Sequence, residues 1–211
     1  MAKPIGILGG TFDPVHNGHL RLALEIYQAL ELAEVRLIPL HTPPHRKAPA
    51  ANDGQRLAML HLAVNGVPGL VVDDREIIRG GTSYTVETLQ SLRLETGDTP
   101  LCLIMGMDAF QSLHTWHQWT TIPDYAHIIL AGRPGSKESI KHYAVRKFYA
   151  GHVCKNRSAL RRPCGRIMKI NVPVLDISAT RIRKLCAQNR EVRYLLPETV
   201  VRYIKRETLY S

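Results

Sequence analysis

The sequence predicts an α/β fold: one domain built on a doubly wound parallel sheet, with a small helical part at its C-terminal end. Three observations point there. Short apolar runs alternate with amphipathic stretches along most of the chain. A strand, a helix and a second strand follow one another within residues 4–39, which implies parallel pairing through a right-handed crossover. The run Leu101-Cys102-Leu103-Ile104-Met105 has no polar break, as a strand covered on both faces requires.

Residues 4–9 read as the first buried strand. Residues 18–32 read as a helix, with Leu20, Ala23, Leu24, Tyr27 and Leu30 at helical spacing. Val35 to Pro39 is the second strand. Leu40 to Asn52, with three prolines, reads as an ordered loop. Asp53 is expected to cap a helix from Gly54 to Val64, with Leu57, Leu60 and Ala63/Val64 turned inward. Leu70 to Asp73 is a third strand, and Ile77-Ile78 suggests an edge pairing. Tyr84 to Glu95 is a helix, with Val86, Leu89 and Leu92 on its inner face. The central strand at 101–105 is followed by short helices over Ala109–Leu113 and His117–Tyr125. His127 to Ala131 and Ile167 to Ile170 are the last strands. Between them Lys137 to Ala150 has helical potential. Ser178 can cap a helix running to about Gln188, and Pro197 can open a final one to Glu207.

Composition narrows the function classes. The chain has 211 residues, 45% hydrophobic and 22% charged, as in an ordinary globular protein. No apolar run approaches the roughly 20 residues a membrane span needs, and nothing at the start resembles a signal peptide. The four cysteines are scattered without a Cys-x-x-Cys pair, which speaks against a zinc site and fits a reducing cytoplasm. The net charge of +10 is local. Residues 133–170 hold 11 of the 28 Lys/Arg but one of the 18 acids, and the remainder is balanced. This basic insertion reads as a solvated, mobile segment. A nucleic-acid patch is the other reading, and steering of anionic nucleotides a further one.

The chemistry concentrates on a strand-to-helix turn, Gly9-Gly10-Thr11-Phe12-Asp13-Pro14-Val15-His16-Asn17-Gly18-His19. Glycines let a ligand approach the backbone. The following helix start offers free N–H groups and a positive dipole end, and two imidazoles three residues apart add donors. Such a turn suits a phosphate. Ile177-Ser178-Ala179-Thr180-Arg181-Ile182-Arg183 opens a second helix in a similar way, with a hydroxyl cap and arginines able to hold a polyphosphate. In a doubly wound sheet the loops at the carboxyl ends of the strands meet at the reversal of strand order. That rule groups His16, His19, His45, Arg46, Asp108, Ser178 and Arg183 around one cleft.

The two motifs together resemble the Rossmann-like nucleotidyltransferases related in fold to class I aminoacyl-tRNA synthetases. Pro43-Pro44-His45-Arg46, Thr82-Ser83-Tyr84-Thr85, Gly106-Met107-Asp108, Thr115-Trp116 and Leu196-Pro197-Glu198 extend the likeness over essentially the full length. They bring it closer to the bacterial nicotinate-nucleotide adenylyltransferases. The resemblance implies transfer of the adenylyl group of ATP to nicotinate mononucleotide, with Mg²⁺ accompanying ATP. It implies catalytic roles for His16, His19 and Arg183. Gly9, Gly10, Thr11, Phe12, Gly106, Asp108, Ile177 and Ser178 join them as the ATP site. His45, Arg46, Thr85, Trp116 and His117 are assigned to the mononucleotide, with Trp116 stacking on the pyridine ring. No protein metal ligand set is implied, and homo-oligomers are possible. Leu40 and His117 depart from the family's usual asparagine and tyrosine. Two other readings stay open: another phosphorylated acceptor such as nicotinamide mononucleotide, and an RNA-binding protein using the basic segment.

Overall fold

The computed structural model describes residues 2–44, 48–132, 139–173 and 175–211. Six strands are joined in one sheet: β1 (Ile5–Gly10), β2 (Glu34–Pro39), β3 (Leu70–Val72), β4 (Leu101–Gly106), β5 (His127–Gly132) and β6 (Ile167–Asn171). All neighbours are parallel, in the order β3-β2-β1-β4-β5-β6. Strands are added outward on one side of β1 and then on the other, so the strand order reverses between β1 and β4 and the predicted doubly wound architecture is present.

Alternation of side chains along the strands builds two cores. Leu101, Leu103 and Met105 face one layer, while Cys102 and Ile104 face the other. The second layer holds helices α1 (Asn17–Ala29) and α2 (Asp53–Val64) through Ala23, Ile26, Met59 and Leu60. The short α3 (Arg75–Arg79) and the longer α4 (Thr85–Thr96) follow β3, and α4 covers the first layer through Leu89 and Leu92. Two short helices, α5 (Met107–Gln111) and α6 (Ile122–Tyr125), link β4 to β5 with 3₁₀ turns between them. After β5 comes α7 (Tyr143–His152), and after β6 come α8 (Ala179–Ala187) and α9 (Glu198–Arg206). Thr199 at the start of α9 donates its hydroxyl to the Leu62 carbonyl of α2 (3.0 Å), holding the C-terminal part against the body.

Several sequence expectations need correction. Ile77-Ile78 lies in α3, not on a strand. The Asp73 carboxylate accepts from the Arg75 N–H (3.2 Å) and the Asp74 carbonyl accepts from Ile78 N–H, so local caps override β-branched propensity. The cap of α2 is Asn52, whose side chain accepts from Gln55 N–H (2.9 Å), one residue before the expected Asp53. Its buried face is Arg56, Met59, Leu60, Ala63 and Val64, with Leu57 only half-buried. Helix α1 stops at Ala29 because Glu31 takes a left-handed conformation (φ 51°). Where described, the basic segment is folded rather than loose. Val145 of α7 and Leu160 are buried, and Ile167 to Asn171 completes the sheet beside β5.

Candidate functional site

The site begins where the sheet opens. β1 pairs with β2 along its whole length, from Ile5 to Gly10, but with β4 only through Ile5, Gly6 and Ile7. Past Ile7 and Leu103 the two strands diverge, leaving a crevice at their carboxyl ends. This is where a reversal of strand order puts a ligand. The crevice widens into a cleft of about 1050 Å³, at the upper end of the roughly 300–1,000 Å³ of ligand pockets.

Gly9, Gly10, Thr11, Phe12, His16, His19, Gly106, Asp108, Ile177, Ser178 and Arg183 all line this one cleft, together with Thr85, Trp116 and His117. The sheet thus unites residues far apart in sequence. His45 and Arg46 fall outside the described residues, but Pro44 before them and Ala48 after them line the cleft. Leu40, the departure from the family pattern, lines it too and contributes an apolar side chain.

Gly9 and Gly106 are informative. Neither has positive φ, and a Cβ built on either meets no atom within 4 Å. Neither packing nor backbone conformation requires glycine there. What remains is close approach by something in the cleft. Gly9→Ala is therefore expected to keep the melting temperature within about 2 °C, since alanine suits strand interiors at least as well. A ligand that packs against this turn should then show a KM raised by about tenfold or more, as one intruding methyl can cause. A normal KM in a stable variant refutes the placement.

The histidine pair is set by the start of α1. His16 is the N-cap, with extended backbone, and is 5% exposed. Its N–H donates to His19 Nδ1 (3.3 Å), and the two rings stack at 3.6 Å with 18° between planes. Gly18 permits this arrangement, because a Cβ there would lie 3.0 Å from His16 Nδ1. Burial pushes the His16 imidazole down to about 4. Burial, aided by the neighbouring His16, pushes His19 down to about 3. Both rings are neutral near pH 7, so each has one N–H to donate and one nitrogen to accept.

The second helix start is built as expected. The Ser178 hydroxyl accepts from Arg181 N–H (3.3 Å), capping α8. Arg183, one turn on, donates to the Asp13 carbonyl (2.6 Å) and lies 3.6 Å from the Asp13 carboxylate. Free N–H groups of α8, a hydroxyl and a guanidinium thus face the same cleft as the histidine turn. Thr85 is the first residue of the twelve-residue α4. His117 precedes only a three-residue 3₁₀ turn and packs its ring on Tyr84 at 4.4 Å. Any anion there draws more from the α4 start than from the turn at His117.

Sequence reasoning missed several residues that shape the site. Arg56 is wholly buried and donates to the carbonyls of Thr11 (2.7 Å) and Leu40 (2.6 Å), besides pairing with Asp53. It therefore ties together the loops leaving β1 and β2. The available signal was its position on the apolar stripe of α2. Glu76, 3% exposed, accepts from the Thr88 hydroxyl (2.5 Å), and burial pushes its carboxyl up. It braces α3 against α4 where the cleft passes Thr85. Asp13 is 4% exposed and accepts from the N–H groups of Ala50 (2.8 Å) and Ala51 (3.1 Å), fixing the far end of the proline-rich loop.

A parallel sheet with strand order 321456 and a cleft of glycine turn, paired histidines and a capped helix start defines a nucleotidyltransferase of the Rossmann-like class. Residues 7–185 match the cytidylyltransferase-like family. The probable nicotinate-nucleotide adenylyltransferase of Aeromonas salmonicida is 48% identical over 213 residues, covering 100% of this chain and 99% of that one. Its counterpart in Aeromonas hydrophila is 49% identical over 212 residues, covering 100% and 98%. The chain belongs to the nicotinate-nucleotide adenylyltransferases within the cytidylyltransferase-like family. The fold also matches Plasmodium falciparum nicotinic acid mononucleotide adenylyltransferase complexed with NaAD, with TM-score 0.76, 17% identity, and 99% and 97% of the two chains covered. Among the described residues no helix is long and apolar enough to cross a membrane.

Proposed function

We propose that the chain joins ATP and nicotinate mononucleotide into nicotinate adenine dinucleotide, releasing pyrophosphate, with the residues of the cleft in the following roles. One observation supports the assignment: a single cleft at the strand-order reversal is lined by the starts of α1 and α8, with His16, His19, Ser178 and Arg183, and by Thr85, Trp116 and His117. A phosphate oxygen of the mononucleotide attacks the α-phosphorus of ATP. A bond forms there as the bond to the β-phosphate oxygen breaks, and the electron pair leaves with pyrophosphate. The nucleophile is already anionic, so positioning and charge stabilisation do the work and no general base is needed.

His16 and His19 donate to the α-phosphate oxygens through their neutral rings. Arg183 and the Ser178 cap hold the β- and γ-phosphates that leave. Gly9, Gly10, Thr11, Phe12 and Ile177 line the nucleotide, and Gly106 and Asp108 meet its ribose. His45 and Arg46 hold the mononucleotide end, and Trp116 stacks on its pyridine ring. Among the described residues no three His, Cys, Asp or Glu side chains gather as metal ligands. Mg²⁺ brought in with ATP would supply charge neutralisation at the phosphates that Ser178 and Arg183 hold.

The acceptor carboxylate is matched by the N–H groups at the start of α4, led by Thr85. A neutral amide in its place loses this interaction. A pyrophosphate-release assay with ATP and a panel of acceptors tests the assignment. Nicotinate mononucleotide should exceed nicotinamide mononucleotide in kcat/KM by about tenfold or more, roughly 1.4 kcal/mol. Equal values would sink the acceptor assignment. Turnover with neither, together with salt-steep retention of RNA on a filter, would favour a nucleic-acid role for the basic segment.

A further inference from the structure

The phosphate end of the cleft is tied to the last residues of the chain. Asp13 Oδ1 accepts from the Tyr210 hydroxyl (2.7 Å), across 197 positions of sequence, as well as from Ala51 N–H (3.1 Å). Asp13 Oδ2 accepts from Ala50 N–H (2.8 Å) and lies 3.6 Å from the Arg183 guanidinium, while the Asp13 carbonyl takes an Arg183 N–H at 2.6 Å. Among the described residues, the other guanidinium amino group has one long contact, 3.5 Å, to the Thr180 hydroxyl. Thr208 and Tyr210 both hold left-handed backbone (φ 53° and 65°). For non-glycine residues that conformation persists only where surrounding contacts over-determine it. Leu209 and Tyr210 pack on the core layer shared by α1, α2 and α9.

We propose that Tyr210, acting through Asp13, is a positioning residue for Arg183 and tunes its grip on the departing pyrophosphate. The inference rests on the role given to Arg183 above. Asp13 is a buried anion beside the place where phosphates collect. Its charge is spread over the Tyr210 hydroxyl, two loop N–H groups and Arg183. With those donors in place Asp13 anchors one edge of the guanidinium and leaves the other edge for phosphate oxygens. Remove the hydroxyl and the carboxylate falls one donor short. It then draws Arg183 more strongly onto itself, at the expense of the phosphate. Burial and the adjacent carboxylate push the Tyr210 phenol well up, so it donates throughout the working pH range.

The test compares the parent with Tyr210→Phe, Arg183→Ala and the double variant, by calorimetric titration with pyrophosphate, steady-state kinetics and thermal melting. Tyr210→Phe should weaken pyrophosphate binding about three- to tenfold, the worth of one hydrogen bond. It should lower kcat by a similar factor and leave the KM for nicotinate mononucleotide unchanged. In the Arg183→Ala background the phenylalanine should cost nothing more. A lower melting temperature with unchanged pyrophosphate affinity would make Tyr210 merely structural and overturn the inference. So would a pyrophosphate defect that persists undiminished without Arg183. Unchanged pyrophosphate affinity in Arg183→Ala itself would overturn the reading of Arg183, and this inference with it.

Discussion

Replacing His19 by alanine is expected to lower kcat by two or more orders of magnitude while leaving the fold in place. Loss of one preorganised donor to a developing phosphate charge costs about a hundredfold to a thousandfold. His19 is such a donor on the role proposed for it, neutral and held by stacking on His16 at 3.6 Å. Its other structural duty is small: Nδ1 accepts the His16 N–H at 3.3 Å at the start of α1, a capping contact worth about 1 kcal/mol. Stability should therefore fall only slightly at pH 7. Acid makes a second readout. In the unfolded chain a histidine takes up its proton near pH 6.5, whereas the folded value for His19 is about 3. As pH falls below 6.5 the unfolded chain binds protons that the folded one refuses, so stability drains away on acidification. At pH 5 one such ring costs about 2 kcal/mol. The alanine variant should therefore lose less stability between pH 7 and pH 5 than the parent does. Near-full kcat in the variant refutes the catalytic role, and an unaltered acid sensitivity refutes the burial argument.

How much of the site was legible depended on how local its chemistry is. The turn from Gly9 to His19 could be read because its parts act on one another within a few residues. Gly18 clears the His16 ring, His16 and His19 meet across one helical turn, and Gly9 opens onto the cleft. Ser178 was legible as a cap for the same reason. The meeting of the two turns followed from the parallel topology, which a strand–helix–strand beginning already implies. Contacts that close over long stretches were not legible. Asp13 and Tyr210 have no spacing that relates them. Ile77-Ile78 looked like a strand because two β-branched residues outweighed the aspartates that cap a single helical turn. The basic segment looked like a solvated excursion because its charges hide two anchoring residues, Val145 and Leu160, although the strand beginning at Ile167 was legible.

Arg56 is the sharpest case of a residue hidden by its own chemistry, and its replacement has the largest expected effect on stability. A charged side chain on a helix is ordinarily assigned to the solvent face, which turned the inner stripe of α2 onto Leu57 instead. Arg56, Met59, Leu60 and Ala63 in fact form one face, and the guanidinium is fully buried. It satisfies the Thr11 and Leu40 carbonyls and pairs with Asp53, which also meets His41 Nδ1 at 2.5 Å. Arg56→Met keeps the volume but orphans two backbone acceptors and leaves a partly buried carboxylate without its cation. Breaking one side of such a pair costs about 3–5 kcal/mol, so the melting temperature should fall by about 10 °C. A fall below 2 °C in the thermal melt would show the network to be dispensable. Adding Asp53→Asn removes the unpaired charge and should recover part of the loss, whereas the two carbonyls stay unsatisfied and keep the rest. Because those carbonyls close the turns beside Gly10 and the proline-rich loop, the residual loss should appear in nucleotide KM as well as in stability. A buried arginine on the far side of the cleft wall thus sets the geometry that the paired histidines use.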